Sequence, residues 1–395
     1  MRHSTLPALV LSFLALGVSA ARAGEGNGPV RVIVGFHAEA EPAVFASHGG
    51  RSDLVLTSAH AVSGVLPAAA LADVQALPGV AYVVEDAVAQ VVGRPASSQP
   101  PQSTPWGIQR IGADLSWYQS TGQGIRVAVV DTGIDAAHPD FRDAQGVSRV
   151  VLGYNFVNPA KAAKDDNNHG THVSGTIGAS NNAIGVVGVA PGCTPVAVKV
   201  VDRNGSAYYS WIIAGIDWAA ANDCQVINMS LGGTADVAAL RDACDNAVAA
   251  GVVVVAASGN SGNSTPNYPA AYASVLCIAA TDTLDRLASF SSYGAHVDLA
   301  APGVGVLSTV RGGGYATWSG TSMAAPHASG AAALVLASGR YTDVNLDGHV
   351  NDEARAALEA TADDVNAGTL PGQDDALGHG LLDAEEATTG TQTLP

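Results

Sequence analysis

The strongest constraint on this chain is a series of short runs that are almost continuously apolar. They are Ile125–Val130, Val150–Phe156, Pro195–Val201, Val226–Met229, Val252–Ala257, Val275–Ala280 and Val297–Ala300. Continuous rather than alternating apolarity marks strands covered on both faces. Between several of them lie stretches with helical patterning: Gly170–Ala179, Ser210–Ala221, Ala235–Ala250 and Ser322–Ala337. Strand-helix alternation of this kind predicts a mainly parallel sheet held between helical layers, an α/β fold. Ligands of such sheets bind beyond the carboxyl ends of the strands. Asp131 follows one strand end directly, and Asn260 follows another within a few residues. A hydrophobic content of 47% over 395 residues is ample for a large core, and it excludes general disorder.

Other regions read differently. Arg2 and His3 precede a mostly apolar run, Leu6 to Val18, followed by Val18-Ser19-Ala20 and Ala21-Arg22-Ala23. This is the pattern of a signal peptide over 1–23, too short to span a bilayer, and it predicts a secreted, extracellular protein. Residues 24–93 form a small α+β block, with strands at Val30–Phe36, Val80–Glu85 and Val88–Val92 and a helix at Pro67–Leu77. The Pro- and Ser-rich stretch 94–101 is expected to be an extended, cleavable linker. The main domain then runs over 102–395.

The formal charge of -17, with only Lys161, Lys164 and Lys199 as lysines, disfavours nucleic acid and anionic membranes as partners. The four cysteines, Cys193, Cys224, Cys244 and Cys277, include no CxxC pair. In an exported protein they permit up to two disulfides in any of three connectivities. The apolar runs beside Cys224 and Cys277 also suit buried free thiols.

Three short motifs offer chemistry. Val127-Ala128-Val129-Val130-Asp131-Thr132-Gly133 places a carboxylate at a strand end. His169-Gly170-Thr171-His172 opens one helix, and Gly320-Thr321-Ser322-Met323-Ala324-Ala325-Pro326-His327 opens another. A serine hydroxyl needs a base within hydrogen-bond reach, and histidine titrates near operating pH. A buried aspartate fixes the histidine tautomer and stabilises the imidazolium. Pro326 is expected in the first turn of its helix, where a missing N–H costs little. Asn260, on the glycine-flanked turn Ser258-Gly259-Asn260-Ser261-Gly262, can aim an N–H at an oxyanion or simply serve the turn.

Taken singly, each motif has other readings. Asp-Thr-Gly also marks aspartic proteases, which need a second carboxylate, yet no second Asp-Thr/Ser-Gly occurs. His169 and His172 could be metal ligands. An α/β-hydrolase esterase would carry Gly-x-Ser-x-Gly with acid and histidine after the serine, the reverse of the order here. A catalytically dead scaffold used for binding is a further alternative.

Together the motifs, in the order Asp, His, Ser, resemble the subtilisin-like serine proteases. The likeness extends to Asn228-Met229-Ser230-Leu231-Gly232-Gly233, Ser289-Phe290-Ser291-Ser292 and Ala301-Pro302-Gly303, and covers roughly residues 102–386. The resemblance implies a three-layer sandwich with a mainly parallel central sheet. It implies a serine endopeptidase, a hydrolase working through an acyl-enzyme on protein and peptide substrates. It also implies a chain made as a zymogen, whose propeptide over 24–93 acts as chaperone and inhibitor; a monomer is the default expectation. Asp131, His169 and Ser322 would be the triad, with Asn260 and the Ser322 N–H forming the oxyanion hole. Ser230, Leu231 and Gly232 would pair with substrate backbone on one edge, and Gly205 and Ser206 on the other. Tyr209 and Leu231 would line a pocket for a residue upstream of the scissile bond, with a preference for apolar residues before the cut.

The resemblance further implies structural Ca2+. Gln102, Asp140 and Asn182 would supply side-chain oxygens, and Ser180, Ile184 and Val186 carbonyls, all hard ligands of the kind calcium takes. One feature departs from the pattern. Asp343-Val344-Asn345-Leu346-Asp347-Gly348 follows the start of an EF-hand loop, but its twelfth position is Ala354 rather than Glu. Asp343, Asn345 and Asp347 are thus candidate ligands of a second, irregular calcium loop, or part of an acidic turn capping the next helix.

Overall fold

The computed structural model describes residues 28–91, 94–98 and 103–392. The expected signal segment 1–23 and the candidate ligand Gln102 lie outside the described residues.

The N-terminal unit is β1 (Pro29–Phe36), α1 (Ala43–Ser47), β2 (Arg51–Leu56), β3 (Ala61–Pro67), α2 (Leu71–Gln75) and β4 (Val80–Glu85). Its strands form an antiparallel sheet in the order β2-β3-β1-β4. Strand alternation gives this sheet two apolar faces. Val32, Val34, Val62 and Val83 pack beneath α1 and α2 with Phe45 and Val74. Ile33, Leu56 and Ala61 point the other way, into the core of the large domain.

Two short strands follow, β5 (Val88–Val91) and β6 (Arg94–Ser98). Neither stays with the N-terminal sheet. The apolar run at Val88–Val92 was expected within the small α+β block, and the stretch 94–98 within an extended, cleavable linker. Instead both strands find partners in the large domain, where the unpaired N–H and C=O groups of open edges accept them whatever their side chains.

The large domain continues with α3 (Trp106–Arg110), α4 (Ala113–Ser116), β7 (Arg126–Asp131), β8 (Val151–Asn155), α5 (His169–Gly178), β9 (Thr194–Lys199), β10 (Ser206–Tyr208) and α6 (Tyr209–Ala221). Then come β11 (Val226–Met229), β12 (Leu231–Gly232), α7 (Ala238–Ala249), β13 (Val253–Ala257), β14 (Leu276–Thr281), β15 (Leu299–Pro302), β16 (Val306–Val310), β17 (Gly314–Ser319), α8 (Thr321–Ser338), α9 (Asn351–Ala360) and α10 (Ala384–Thr389). Seven strands make one sheet, β15-β14-β13-β11-β7-β9-β8, and every pairing in it is parallel. Val127 and Val129 face α5 and α8, while Ala128 and Val130 face α6 and α7. This is the expected three-layer α/β sandwich. All seven anticipated strands and all four anticipated helices are present, with ends shifted by at most three residues.

Strand order reverses direction between β7 and β11, and the carboxyl ends of these two strands lead to Asp131 and Ser230. That switch point is where open parallel sheets bind ligands. The four cysteines are buried free thiols, so no disulfide framework forms. Burial pushes the Cys193 thiol up to about 11. Among the described residues no helix is long and apolar enough to cross a membrane.

Candidate active site

Asp131 ends β7 and is fully buried. The turn after it reverses at Gly133 (φ +99°), where a Cβ would lie 2.6 Å from the Ala163 carbonyl, so glycine is required. Thr132 Oγ1 accepts the Gly170 N–H at 2.8 Å and donates to Asp165 at 2.9 Å. The buried Lys199 ammonium ties the same turn down, donating to the Thr132 carbonyl (2.7 Å), the Val201 carbonyl (2.8 Å) and Asp166 (2.6 Å).

His169 is the first residue of α5. Asp165 holds that helix start, accepting from the N–H groups of Asn167, Asn168 and Thr171. The result fixes the imidazole against the carboxylate: His169 Nδ1 is 2.9 Å from both oxygens of Asp131. The second histidine of the motif does something else. His172 Nε2 lies 3.1 Å from the Ala316 carbonyl, to which it donates, and its ring stacks on Trp318 at 4.5 Å with a 2° tilt. Burial drives its pKa down to about 3, so it stays neutral. The pair therefore does not form a metal site, and Asp131 faces a histidine rather than the second carboxylate of an aspartic protease.

Ser322 is the second residue of α8, whose first-turn N–H groups have no helical acceptors. Its Oγ donates to the Ser230 carbonyl at 3.1 Å. Pro326 sits one turn further into the helix than expected, as its sixth residue. Lacking an N–H, it cannot bond the Ser322 carbonyl four residues back. Ser230 Oγ fills that role, donating to the Ser322 carbonyl at 2.9 Å. Asn228 Nδ2 donates to Ser230 Oγ (3.0 Å), and Ser329 Oγ donates to Asn228 Oδ1 (2.9 Å), all fully buried. Asn260 accepts on Oδ1 from Thr321 N–H and Thr321 Oγ1, each at 2.9 Å. This turns its amide nitrogen to the side away from Thr321.

The cleft edges are β10 and β12, and β5 lies between them as the middle strand of an antiparallel sheet. Ser206 pairs with Gln90, Ala207 with Ala89 and Tyr208 with Val88 on one side. Leu231 pairs with Val91 and Gly232 with Gln90 on the other. Gly205 (φ +82°) makes the turn into β10. Tyr209 is buried beneath Gly233, and burial raises its hydroxyl to about 12.

This arrangement can bind an extended polypeptide and attack one of its carbonyls with a serine. Residues 122–380 match the subtilase family. The chain belongs to the subtilase family. It is 40% identical to subtilisin NAT of Bacillus subtilis subsp. natto over 391 residues, 96% of each chain. The same figures hold for subtilisin E of Bacillus subtilis strain 168. A subtilisin of Bacillus pumilus is 45% identical over 291 residues, 72% of this chain and 99% of that one. The chain is accordingly a serine-type endopeptidase, a hydrolase.

Around Asp140 the structure gathers the loop expected to hold calcium. Asp140 is fully buried, and burial raises its carboxyl above the usual range. Its Oδ2 accepts the Val186 N–H (2.9 Å), its carbonyl accepts the Ser180 N–H (2.6 Å), and Asn182 Nδ2 lies 3.4 Å from Oδ1. Asn182 Oδ1 accepts the Ile184 N–H, and Ser103 pairs with Val186. No lysine or arginine among the described residues is paired with Asp140. The contacts on this carboxylate are hydrogen-bond donors, the Val186 N–H, the Asn182 amide and the Tyr315 hydroxyl, while carboxylate and amide oxygens are in general the hard ligands that calcium takes. In the 343–353 loop, Asp343 accepts from the N–H groups of Asp347 and Gly348, and Asn345 Nδ2 donates to Asp347 and Asp352. No group of three or more His, Cys, Asp or Glu among the described residues is disposed to grip a metal.

Sequence reading missed Trp318, Lys199, Asp165 and the inner network of Asn228, Ser230 Oγ and Ser329. The run Asp165-Asp166-Asn167-Asn168 ahead of His169 was the available signal, since such residues cap helices.

Proposed function

We propose that this chain is a secreted serine endopeptidase made as a self-processing precursor, with Asp131, His169 and Ser322 as its catalytic triad. The observation that carries the reading is the seat of β5. The chain's own strand lies across both cleft edges, as a peptide substrate binding by strand addition would. Main-chain pairing of this kind suits broad specificity, and the own-chain sequence Val88-Ala89-Gln90-Val91 suits small or apolar residues before the cut.

In the proposed mechanism His169, held through Nδ1 by Asp131, takes the Ser322 hydroxyl proton on Nε2 as Oγ attacks the scissile carbonyl. The imidazolium so formed is stabilised by the buried carboxylate. Asn260 Nδ2 and the Ser322 N–H stabilise the developing oxyanion. His169 returns the proton to the leaving amine, and water then releases the acyl group. Ser230, Leu231 and Gly232 on one side, with Gly205, Ser206 and Tyr209 on the other, hold the substrate. Residues 24–93 act as the propeptide, and 1–23 direct export. The enzyme acts as a monomer.

Structural Ca2+ completes the reading. Gln102, Asp140, Ser180, Asn182, Ile184 and Val186 would hold one ion, and Asp343, Asn345 and Asp347 would help hold a second. Bound calcium would neutralise the buried Asp140 carboxylate and tie the loop at 180–186 to the start of the mature chain.

The test compares secreted wild type with Ser322→Ala by intact mass and N-terminal sequencing, both in calcium. The reading expects wild type to lose its N-terminal block and to be inactivated by a serine-directed phosphonate. The variant should keep the block. Identical processing of both chains would sink self-cleavage, and an unreactive wild type would sink the catalytic reading. Chelation should lower the melting temperature of Ser322→Ala, and by less once Asp140→Asn is added.

A further inference from the structure

Lysine is almost never fully buried unless its charge is paired. Lys199, at the end of β9, is only 2% exposed, and it lies level with Asp131 in the parallel register of β7 and β9. Ala197, two residues back on the same face of the strand, belongs to the apolar core with Val127 and Val129. A well-packed apolar side chain in this place would avoid the cost of burying a charge, so stability alone does not call for a lysine. The ammonium has three protons to give. Three acceptors take them: the Thr132 carbonyl at 2.7 Å, the Val201 carbonyl at 2.8 Å and Asp166 Oδ1 at 2.6 Å. They lie on three separate segments at the carboxyl edge of the sheet, beyond the last strand pairs. Thr132 bears directly on the candidate triad carboxylate, since its N–H donates to Asp131 Oδ1 at 2.6 Å. Asp166 lies three residues before His169, beside the Asp165 that caps α5. Val201 closes the set, its N–H donating to the Asp131 carbonyl at 3.1 Å.

We propose that Lys199 is a positioning residue of the reaction: its ammonium fixes the Asp131 carboxylate and the His169 imidazole relative to each other, and so acts on the chemical step rather than on substrate binding. This rests on the catalytic roles proposed above for Asp131, His169 and Ser322. His169 Nδ1 sits 2.9 Å from both oxygens of Asp131, a geometry with little play. Groups of this kind must be held to within about 0.5 Å, and a misplacement of about 1 Å costs about 100-fold in rate. The segments bearing the two residues are also tied by Thr132 Oγ1, which donates to Asp165 and accepts the Gly170 N–H. That tie runs through a side chain with its own rotation. The Lys199 bond to the Thr132 carbonyl holds the main chain itself, and its bond to Asp166 carries the same restraint to the loop that leads into α5. The substrate edge does not depend on this ammonium. Asp202 sets the turn into β10 by accepting the N–H groups of Asn204 and Ser206, and its own N–H donates to the Ser206 carbonyl.

Lys199→Met keeps the apolar stem and removes the charge with all three donors. With active sites counted by a serine-directed phosphonate, kcat for a peptide substrate should fall about 10- to 100-fold, while KM changes by less than about threefold. The second readout is the far-downfield proton signal of His169 Nδ1–H, followed by NMR in a Ser322→Ala background, which should shift or broaden when Lys199→Met is added. Val254→Ala, deep in the central sheet, serves as the comparison: it should lower the melting temperature and leave both kcat and the proton signal unchanged. If Lys199→Met behaves like Val254→Ala, the lysine only stabilises the fold and the proposal is overturned. A rise in KM at unchanged kcat overturns it as well. Should Lys199→Met fail to fold, Asp166→Ala decides the matter. Asp166 is half exposed, and losing this one acceptor should lower kcat about two- to fivefold. An unchanged kcat there overturns the proposal by itself. A wild type unreactive toward the phosphonate would instead sink the catalytic reading, an outcome distinct from any result at Lys199.

Discussion

The two oxygens of Asp131 at 2.9 Å from one imidazole nitrogen leave His169 with a single workable tautomer, in which Nδ1 carries the proton. An amide in place of the carboxylate turns an N–H toward that nitrogen and favours the opposite tautomer. Asp131→Asn should therefore leave the fold intact and lower kcat by about four orders of magnitude, read by peptide hydrolysis on matched amounts of folded protein. A loss below tenfold would contradict the assigned role. Ser230 makes a subtler case. Its hydroxyl is the donor that replaces the N–H missing at Pro326, and it holds the carbonyl of Ser322, the proposed nucleophile. Ser230→Ala leaves that buried carbonyl unsatisfied, a cost of about 1–3 kcal/mol. Part of this should appear as looseness at Ser322, lowering kcat about tenfold while KM changes little, because the Ser230 main chain still lines the edge. A rise in KM at unchanged kcat would place the residue in binding alone. As candidates, Asp131, His169, Ser322 and Asn260 were legible because each stands in a motif of local sequence. Trp318 and Asn228 were not, because they act across 146 and 94 residues of chain, on His172 and Ser322 respectively.

Among elements, α10 carries the clearest pH signature. Asp383 is its N-cap and accepts the Glu386 N–H at 2.8 Å, yet the residue is only 2% exposed. Burial first, then the charges of Asp363, Glu386 and Glu385, raise its carboxyl from 3.8 to about 6. A raised folded-state pKa means the folded chain binds this proton more tightly than the unfolded one. The group's contribution is fully present below about 3.8 and is lost as pH rises through about 6. Asparagine caps as well and carries no charge. In a Ser322→Ala background, which avoids self-digestion, Asp383→Asn should raise the melting temperature at pH 8 by a few degrees, at about 2–4 °C per kcal/mol. It should change little at pH 4, and an equal effect at both would rule out titration as the cause. The same elements show what sequence can and cannot reveal. The central strands are apolar on both faces and so stand out at once. The hairpin β16–β17 is polar and glycine-rich, with Arg311-Gly312-Gly313-Gly314 at its bend, and its pairing partner is the chain's own upstream segment. β2 escaped for a related reason, since its half-polar pattern is explained only by its place in the docked sheet.

At the scale of the whole molecule, the question is what holds the N-terminal unit onto the enzyme. Apolar contact is one part, with Ile33, Leu56 and Ala61 entering the core shared with α6 and α7. The directional part is Asp86. Tyr208, the residue before α6, supplies no side-chain cap, and Asp86 from the N-terminal unit does so instead. It accepts the Ser210 N–H at 3.0 Å and the Ser210 hydroxyl, and it takes the Arg31 guanidinium at 2.8 Å. Arg31 also bonds Asp53 at 2.6 Å and covers the Tyr208 ring at 4.2 Å. The next residue, Ala87, accepts the Tyr209 N–H at 3.2 Å and leads into β5. One buried carboxylate therefore sets the height at which β5 enters the cleft. Removing one partner of such a buried pair costs about 2–5 kcal/mol, and each 1.4 kcal/mol is tenfold. Hydrogen exchange on the Ser322→Ala precursor should show β5, β10 and β12 amides exchanging about 30-fold faster or more in Asp86→Ala. Val254 and Ile278, deep in the central sheet, should keep their rates. Asp53→Ala breaks a more exposed ion pair of the same arginine, which is worth about 1 kcal/mol or less, and should speed β5 exchange by no more than about fivefold. If the two variants act alike, docking is carried by the apolar face alone. If Asp86→Ala is the larger, the N-terminal unit is held by a helix cap that the enzyme does not supply for itself, and losing the unit also uncaps α6.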